Sequence, residues 1–422
     1  MNTAASTYSF TTLDALLAHD KTIGVSDILL TLSATPHFIS SDASDSACDY
    51  ASTANGSCGV PADIATSCTN VNTLNDCDGG VTGSNQTWRS FIYALGNHLS
   101  GLSGGTYAPV SYFEIWNEFT RTSGSWKGTD AQLARMAQDA KCILLGTGTI
   151  TATGETCTAG HMGVAAVGVM SSAQILTPSN GSMGTSSNVT AWGTYVGTSG
   201  ALGAATIAAV HTYPWASSTT CCSSPELLPG YFTTANGQVT GAGGSQPLWS
   251  TEGGWGEDGT NLSTADFDGF VVRYFLLGWA GGFSRSYWYQ YDNTGWGTLW
   301  YANGSHGCSN VLGCLTSTGT AYQQVYNWMV GATMSVACAS SGTVWHCDFT
   351  RTSPVGYTAR AVWDTSGSST YTPPAGTYLS YRDIVGGSNT LGATVTIGKK
   401  PILLEGSAVA VTAQPQTHDV PQ

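Results

Sequence analysis

Two stretches place acidic side chains where chemistry could use them. Tyr112-Phe-Glu-Ile-Trp-Asn-Glu-Phe-Thr120 opens as a buried parallel strand, apolar except for Glu114, and delivers Asn117 and Glu118 to its carboxyl end. Glu252, 134 positions after Glu118, closes a second such strand, Pro247-Leu-Trp-Ser-Thr-Glu252, which runs on into Gly253-Gly254-Trp255. Only 9% of the chain is charged, so two strands ending in Glu stand out from the background. A single Glu in such a place is most simply an ion-pair partner or a strand exit. Two of them, each beside aromatic and glycine residues, point to paired carboxyl chemistry. One carboxyl would protonate a leaving glycosidic oxygen while the other attacks the anomeric carbon or activates water. A separation of about 5–5.5 Å gives retention of configuration and about 6.5–9.5 Å inversion.

The elements that must position these residues alternate between strand and helix. Phe10, Leu13, Leu16 and Leu17 give an amphipathic helix over 10–21, and Ser26–Leu32 a strand that exits at Thr35-Pro36-His37. A loop of roughly fifty residues, rich in Ser, Asp, Gly and Cys, leads to a helix at 88–98. After the Glu118 strand, Asp130 is the expected cap of the next helix, followed by a strand at 164–170. Residues 171–205 read as irregular with a helix near Trp192, and Thr206–His211 as a strand exiting at His211-Thr-Tyr213-Pro-Trp215. The Glu252 strand precedes a helix capped by Ser263 or Thr264 and running to Trp279, a strand at 284–291 and a helix at 321–329. Such alternation means parallel βα units, here six strands rather than eight. From about residue 334 the pattern becomes short alternating strands (343–349, 357–363, 378–382, 391–397, 401–404) broken by Gly, Ser and Pro. The expected fold is therefore α/β: a (β/α)8-type TIM barrel, incomplete at its N-terminus, with a small C-terminal antiparallel β-sandwich. The expected division is 1–333 for the barrel, 334–412 for the sandwich and 413–422 for a tail. Strand carboxyl ends in such a barrel line one mouth, where barrel enzymes keep their chemistry.

Composition narrows the partners. A formal net charge of −13 with 13 Lys and Arg argues against nucleic acid and anionic membranes, and no apolar run is long enough to span a bilayer. The twelve cysteines fall as neighbours, Cys48/Cys58, Cys68/Cys77, Cys142/Cys157, Cys221/Cys222, Cys308/Cys314 and Cys338/Cys347, as disulfides of an exported protein would. Adjacent Cys221 and Cys222 would form a vicinal ring or be split between other partners. No CxxC pair or clustered histidine suggests a metal, and no cofactor is expected. Secretion is the inference, although Met1-Asn-Thr-Ala-Ala lacks the charged and apolar regions of a leader. Gly101-Leu-Ser103-Gly-Gly105 matches the nucleophile-elbow letters but lies after a helix and before a strand, the reverse of the required context. Six Asn-x-Ser/Thr sequons, beginning at Asn55, Asn85, Asn180, Asn188, Asn261 and Asn303, are compatible with chance in a chain this rich in Ser and Thr.

Ile115-Trp116-Asn117-Glu118 together with Trp249-Ser250-Thr251-Glu252 resembles the clan-A retaining glycoside hydrolases, whose Asn-Glu ends the fourth barrel strand and whose second Glu ends the seventh. The family-39-like, β-xylosidase-containing branch is the nearest in pattern. Leu30–Pro36, Val210–Pro214 and Ser286–Tyr289 look like its third, sixth and eighth strands, and Gly398–Glu405 like part of its accessory sandwich. The resemblance implies Glu118 as acid and then base, with a pKa raised by burial, and Glu252 as nucleophile. It implies Asn117 on the sugar 2-hydroxyl, His211 and Tyr213 orienting Glu252, and Trp288 as a stacking platform. Trp255 would join the aromatic wall with Trp116, Trp126, Trp215 and Trp296. Trp288 and His211 also suit plain structural roles, and His37 would reach the sugar or cap a loop. The implied substrate is a β-linked polysaccharide or oligosaccharide, xylan or xyloside first, β-glucan or galactan next. The pattern departs at the start: the first two barrel strands are missing, and with them an Arg expected near the nucleophile. The strand edges left open would recruit a partner, and a second copy of the chain could cover them. Two rivals remain, a catalytically silent carbohydrate-binding barrel and a transglycosylase.

Overall fold

The computed structural model describes residues 2–4, 7–48, 55–64, 85–120, 124–150, 155–214, 224–255, 264–292, 299–311 and 313–406. The chain forms two compact units, whose main segments are Met1–His211 with Ala235–Trp249, and Thr212–Thr234 with Ser250–Thr417.

In the first unit, α1 (Thr11–Thr22) leads to strand β1 (Ile28–Leu32), then α2 (Gln86–Ser100), β2 (Val110–Ile115), α3 (Asp130–Leu145), β3 (Gln174–Leu176), α4 (Ser186–Val196) and β4 (Ala208–His211). The strands are parallel in the order β1-β2-β3, with Leu32 opposite Ile115 and Glu114 opposite Leu176. A parallel bridge from Leu176 to Ile207 brings β4 alongside. Parallel strands are buried on both faces, which accounts for Phe113, Ile115 and the apolar run Ala208–Val210 in the core. Helices α2 and α3 lock together through the Trp88 indole N–H on the Met136 carbonyl (2.9 Å) and a fully buried Arg89–Asp139 pair (3.2 Å).

Two sequence expectations need correction here. The cap of α3 is Thr129, not Asp130: its hydroxyl accepts from the Gln132 N–H while the Gln132 side chain returns to the Thr129 N–H, a capping box. The apolar segment 164–170 is not a strand. Gly168 and Val169 donate to the Ile143 carbonyl and Met170 to that of Leu144, so the segment satisfies the open carbonyls at the end of α3. The strand of this βα unit is Gln174–Leu176 instead.

The second unit takes the start of α5 (Leu228–Gly241), the end of β5 (Leu248–Glu252), α6 (Thr264–Gly281), β6 (Arg285–Ser286), α7 (Ser317–Met329) and an antiparallel region. The strand expected over 284–291 is regular only at Arg285–Ser286, although the Tyr287 and Tyr289 N–H groups continue along β5 to the carbonyls of Ser250 and Gly253. Beyond α7 lie β7 (Thr333–Ser341), β8 (Val344–Thr350), β9 (Thr358–Asp364), β10 (Ser368–Tyr371), β11 (Ser380–Arg382), β12 (Ser388–Thr390), β13 (Val395–Gly398) and β14 (Ile402–Glu405). Six of these form a sheet in the order β7-β8-β9-β14-β11-β12, and β10 pairs with β13. Helices and sheet share one core, with Phe270, Tyr274 and Leu277 of α6 and Val325 and Trp328 of α7 in the same cluster as Phe349, Trp363 and Leu403. Glu226 ties them further, accepting from Arg273 (2.8 Å) and from the Trp363 indole (3.0 Å).

Among the described residues four disulfides join Cys48–Cys58, Cys142–Cys157, Cys308–Cys314 and Cys338–Cys347, the local pairing read from the sequence. The Cys68/Cys77 and Cys221/Cys222 pairs lie outside the described residues. Among the described residues, no helix is long and apolar enough to cross a membrane.

Candidate active site

Glu118 belongs to the first unit and Glu252 to the second. Strand β2 ends at Ile115, and the chain then turns sharply: Trp116 and Glu118 both have left-handed backbones, with φ of 81° and 47°. Side-chain-bearing residues adopt that region at a cost of about 1–3 kcal/mol each, so the surroundings must impose it. They do so through hydrogen bonds. Trp116 N–H donates to the Leu32 carbonyl (2.9 Å) and Glu118 N–H to the Ser179 hydroxyl (3.1 Å). The Ser125 hydroxyl donates to the Glu118 carbonyl, and the Ser125 carbonyl accepts from the Trp116 indole (3.0 Å). The indole itself meets Trp126 edge-on at 4.7 Å.

This turn aims Glu118, 7% exposed, at the end of β4, where His211 Nδ1 lies 2.9 Å from its Oε1. His211 is buried and fixed by its own backbone: its N–H donates to Asn180 Oδ1 (2.9 Å) and its carbonyl accepts from Met183 N–H (2.8 Å). Since a carboxylate only accepts, the bond places the imidazole proton on Nδ1. His211 is expected to orient Glu252, and this bond engages it with Glu118. Asn117 sits half-buried between Trp116 and Glu118 at the strand exit. His37, exposed at the start of a short 3-10 turn (His37–Ile39), bonds the Asn55 carbonyl through Nδ1 at 2.9 Å.

In the second unit Glu252 is the last residue of β5 and half-buried. The phenol of Tyr213, itself buried, donates to Glu252 Oε1. Thr212 N–H donates to the Glu252 carbonyl at 2.9 Å. The two glycines that follow are dictated by space: a Cβ on Gly253 would stand 2.0 Å from the Tyr274 hydroxyl, and one on Gly254 2.6 Å from the Tyr289 carbonyl oxygen. Trp255 is 3% exposed, stacked on Phe267 (4.4 Å) and edge-on to Trp288 (4.9 Å). Trp288 is half-buried and also edge-on to Tyr274, so the aromatic cluster fixes its ring.

Sequence reasoning missed the hydroxyls behind Glu252. Thr212 Oγ1 lies 2.7 Å from Ser250 Oγ and 2.7 Å from the Tyr274 phenol, and Ser250 Oγ is 3.1 Å from that phenol. Burial pushes the Tyr274 pKa up to about 12; the hydrogen bonds with Ser250 and Thr212 oppose the shift and the Glu252 charge adds to it. Ser250 was accessible from the two-residue strand period shared with Glu252. Tyr274, on a helix, carried no such signal. Ser125 and Ser179, which build the Glu118 turn, and Asn180, which fixes His211, lie in Ser-rich loops where one polar residue reads like another.

No protein-family model matches the chain, and no curated protein matches it. Solved structures do. A conserved exported protein from Bacteroides fragilis matches with a TM-score of 0.56 at 12% identity, over 94% of this chain and 80% of its own. A family 39 glycoside hydrolase from Bacteroides cellulosilyticus matches with a TM-score of 0.51 at 13% identity, over 94% and 78%. The catalytic domain of a family 30 xylanase from Talaromyces cellulolyticus matches with a TM-score of 0.51 at 12% identity, over 94% and 80%. At such identities the likeness is one of fold alone: the chain shares the fold of these glycoside hydrolases, without family 39 being singled out.

Proposed function

We propose that the chain is a secreted retaining glycoside hydrolase that cleaves β-linked glycosides by double displacement. One observation carries most of the weight: His211 and Tyr213, two residues apart at the exit of β4, each bind one of the two strand-end glutamates. One three-residue segment of chain thus supplies a hydrogen-bonding partner to each carboxylate, as paired acid and nucleophile roles require. The fold shared with these glycoside hydrolases and the four disulfides support the same assignment. In this division residues 1–333 form the barrel domain and 334–412 the accessory sandwich.

Glu252 attacks the anomeric carbon while Glu118 gives its proton to the departing oxygen, leaving a glycosyl ester on Glu252 and a free alcohol. Water then attacks the anomeric carbon, Glu118 takes the water proton, and the Glu252 carboxylate departs. His211 engages Oε1 of Glu118, which assigns the transferable proton to Oε2. Tyr213 stabilises the ionised Glu252 through Oε1, which assigns the attack to its Oε2. Asn117 meets the sugar 2-hydroxyl, and Trp288, backed by Trp255, offers the stacking face. A xyloside is the first substrate to try, a β-glucoside or β-galactoside the next.

The test is a panel of nitrophenyl β-glycosides and β-linked polysaccharides, with product anomers read by NMR. Hydrolysis with first-formed β product supports the proposal. First-formed α product contradicts retention. If wild type, Glu118→Gln and Glu252→Ala all bind oligosaccharide alike and none hydrolyses it, the protein is a carbohydrate binder instead.

A further inference from the structure

We infer that Tyr274 is a positioning residue for Glu252, anchoring a chain of buried hydroxyls that fixes the Glu252 backbone and so the direction of its carboxylate. The inference rests on the assignment of Glu252 as nucleophile. Tyr274, Thr212 and Ser250 are each fully buried. Their spacing permits one ordered run of donors: the Tyr274 phenol to Thr212 Oγ1 (2.7 Å), Thr212 to Ser250 Oγ (2.7 Å), and Ser250 to the Glu252 carbonyl (3.4 Å). The same carbonyl accepts the Thr212 N–H at 2.9 Å, so Thr212 grips the strand end by both backbone and side chain.

Packing alone does not call for this arrangement. The ring of Tyr274 sits among Phe270, Phe275 and Trp288, where a phenylalanine ring would fit equally well. A buried phenol costs desolvation unless its hydroxyl is bonded, and here that hydroxyl points to the back of Glu252. Gly253 completes the fit, because any larger residue would occupy the place of the phenol oxygen. Three polar side chains from three elements thus link into one run that ends on a single backbone carbonyl, with Gly253 leaving room for the phenol. The phenol stays protonated up to a pKa of about 12, so the chain keeps its donor across the neutral range.

The experiment compares wild type, Tyr274→Phe, Thr212→Val and Thr212→Ser by amide hydrogen exchange, and by kcat and KM on nitrophenyl β-xyloside, with the β-glucoside and β-galactoside in parallel. Tyr274→Phe and Thr212→Val are expected to speed exchange at the Thr212 amide about tenfold and to lower kcat about tenfold at nearly constant KM, the effect of losing one buried hydrogen bond. Thr212→Ser, which keeps the hydroxyl, should stay near wild type. Unchanged exchange at Thr212, or faster exchange with unchanged kcat, overturns the inference, as does a kcat loss matched by the loss of folded protein. Full turnover in Glu252→Ala, or no turnover of any glycoside by wild type, sinks the nucleophile assignment instead and takes the inference with it. The exchange data then still report whether the hydroxyls hold the strand end.

Discussion

The two glutamates are held in opposite ways. Glu118 sits on a contorted backbone, left-handed at Trp116 and again at Glu118 itself, pinned by Ser125 and Ser179 and closed off by His211. Glu252 ends a regular strand, half-exposed, with one phenol on its carboxylate and its control applied from behind by Thr212, Ser250 and Tyr274. The difference fits the division of labour proposed for them. A group that must hold and release a proton gains from burial, which penalises its charged form. A nucleophile must stay ionised and meet the substrate, so it gains from openness and a directed donor.

That contrast breaks most visibly at the carboxylates. Glu252→Ala should lose at least about a thousandfold in kcat on every substrate. Glu118→Gln should lose as much on oligosaccharides but far less on nitrophenyl glycosides, whose leaving group needs no proton; steady-state kinetics on both classes checks this. Equal losses on the two classes would erase the distinction.

Removing the partners should sharpen it. His211→Ala leaves Glu118 without its imidazole and Tyr213→Phe leaves Glu252 without its phenol; each should cost roughly tenfold to a hundredfold in kcat/KM. The pH–rate profile separates them, since His211→Ala should displace the limb set by the acid and Tyr213→Phe the limb set by the nucleophile.

Stability reports the same asymmetry. Gly253→Ala drives a methyl into the Tyr274 hydroxyl and should destabilise by about 3 kcal/mol in denaturant unfolding. Ser179→Ala removes one acceptor from the Glu118 turn and should cost only about 1 kcal/mol.

The smallest effect concerns alkali. Tyr274 titrates near 10 when unfolded and about 12 when folded. A pKa raised by folding contributes stability that is complete below the unfolded value and is lost as pH rises through the folded one. Melting temperature should therefore fall between about pH 10 and pH 12 more steeply in wild type than in Tyr274→Phe.

Much of this was legible in the residues. The strands carrying Glu118, His211 and Glu252 announced themselves because a parallel strand is a short, nearly unbroken apolar run. Gln174–Leu176 did not: three residues are too few for a pattern, and the more apolar 164–170 competed for the same place while serving the end of α3. Edge strand β7 was invisible for another reason, since its mostly exposed face demands no alternation. Individual carboxylates could be named from strand ends, but the hydroxyls behind Glu252 could not. Thr212, Ser250 and Tyr274 become one unit only when a strand exit, a strand and a helix pack together.

The central claim, that Glu118 and Glu252 work on one bond from opposite roles, is tested most directly by azide rescue. With a nitrophenyl β-glycoside that the wild type hydrolyses, azide should restore Glu252→Ala by attacking in place of the carboxylate and give the α-glycosyl azide. With Glu118→Ala it should intercept the glycosyl-enzyme and give the β-glycosyl azide. The same anomer from both variants, or turnover by either that is indifferent to azide and equal to wild type, would contradict it.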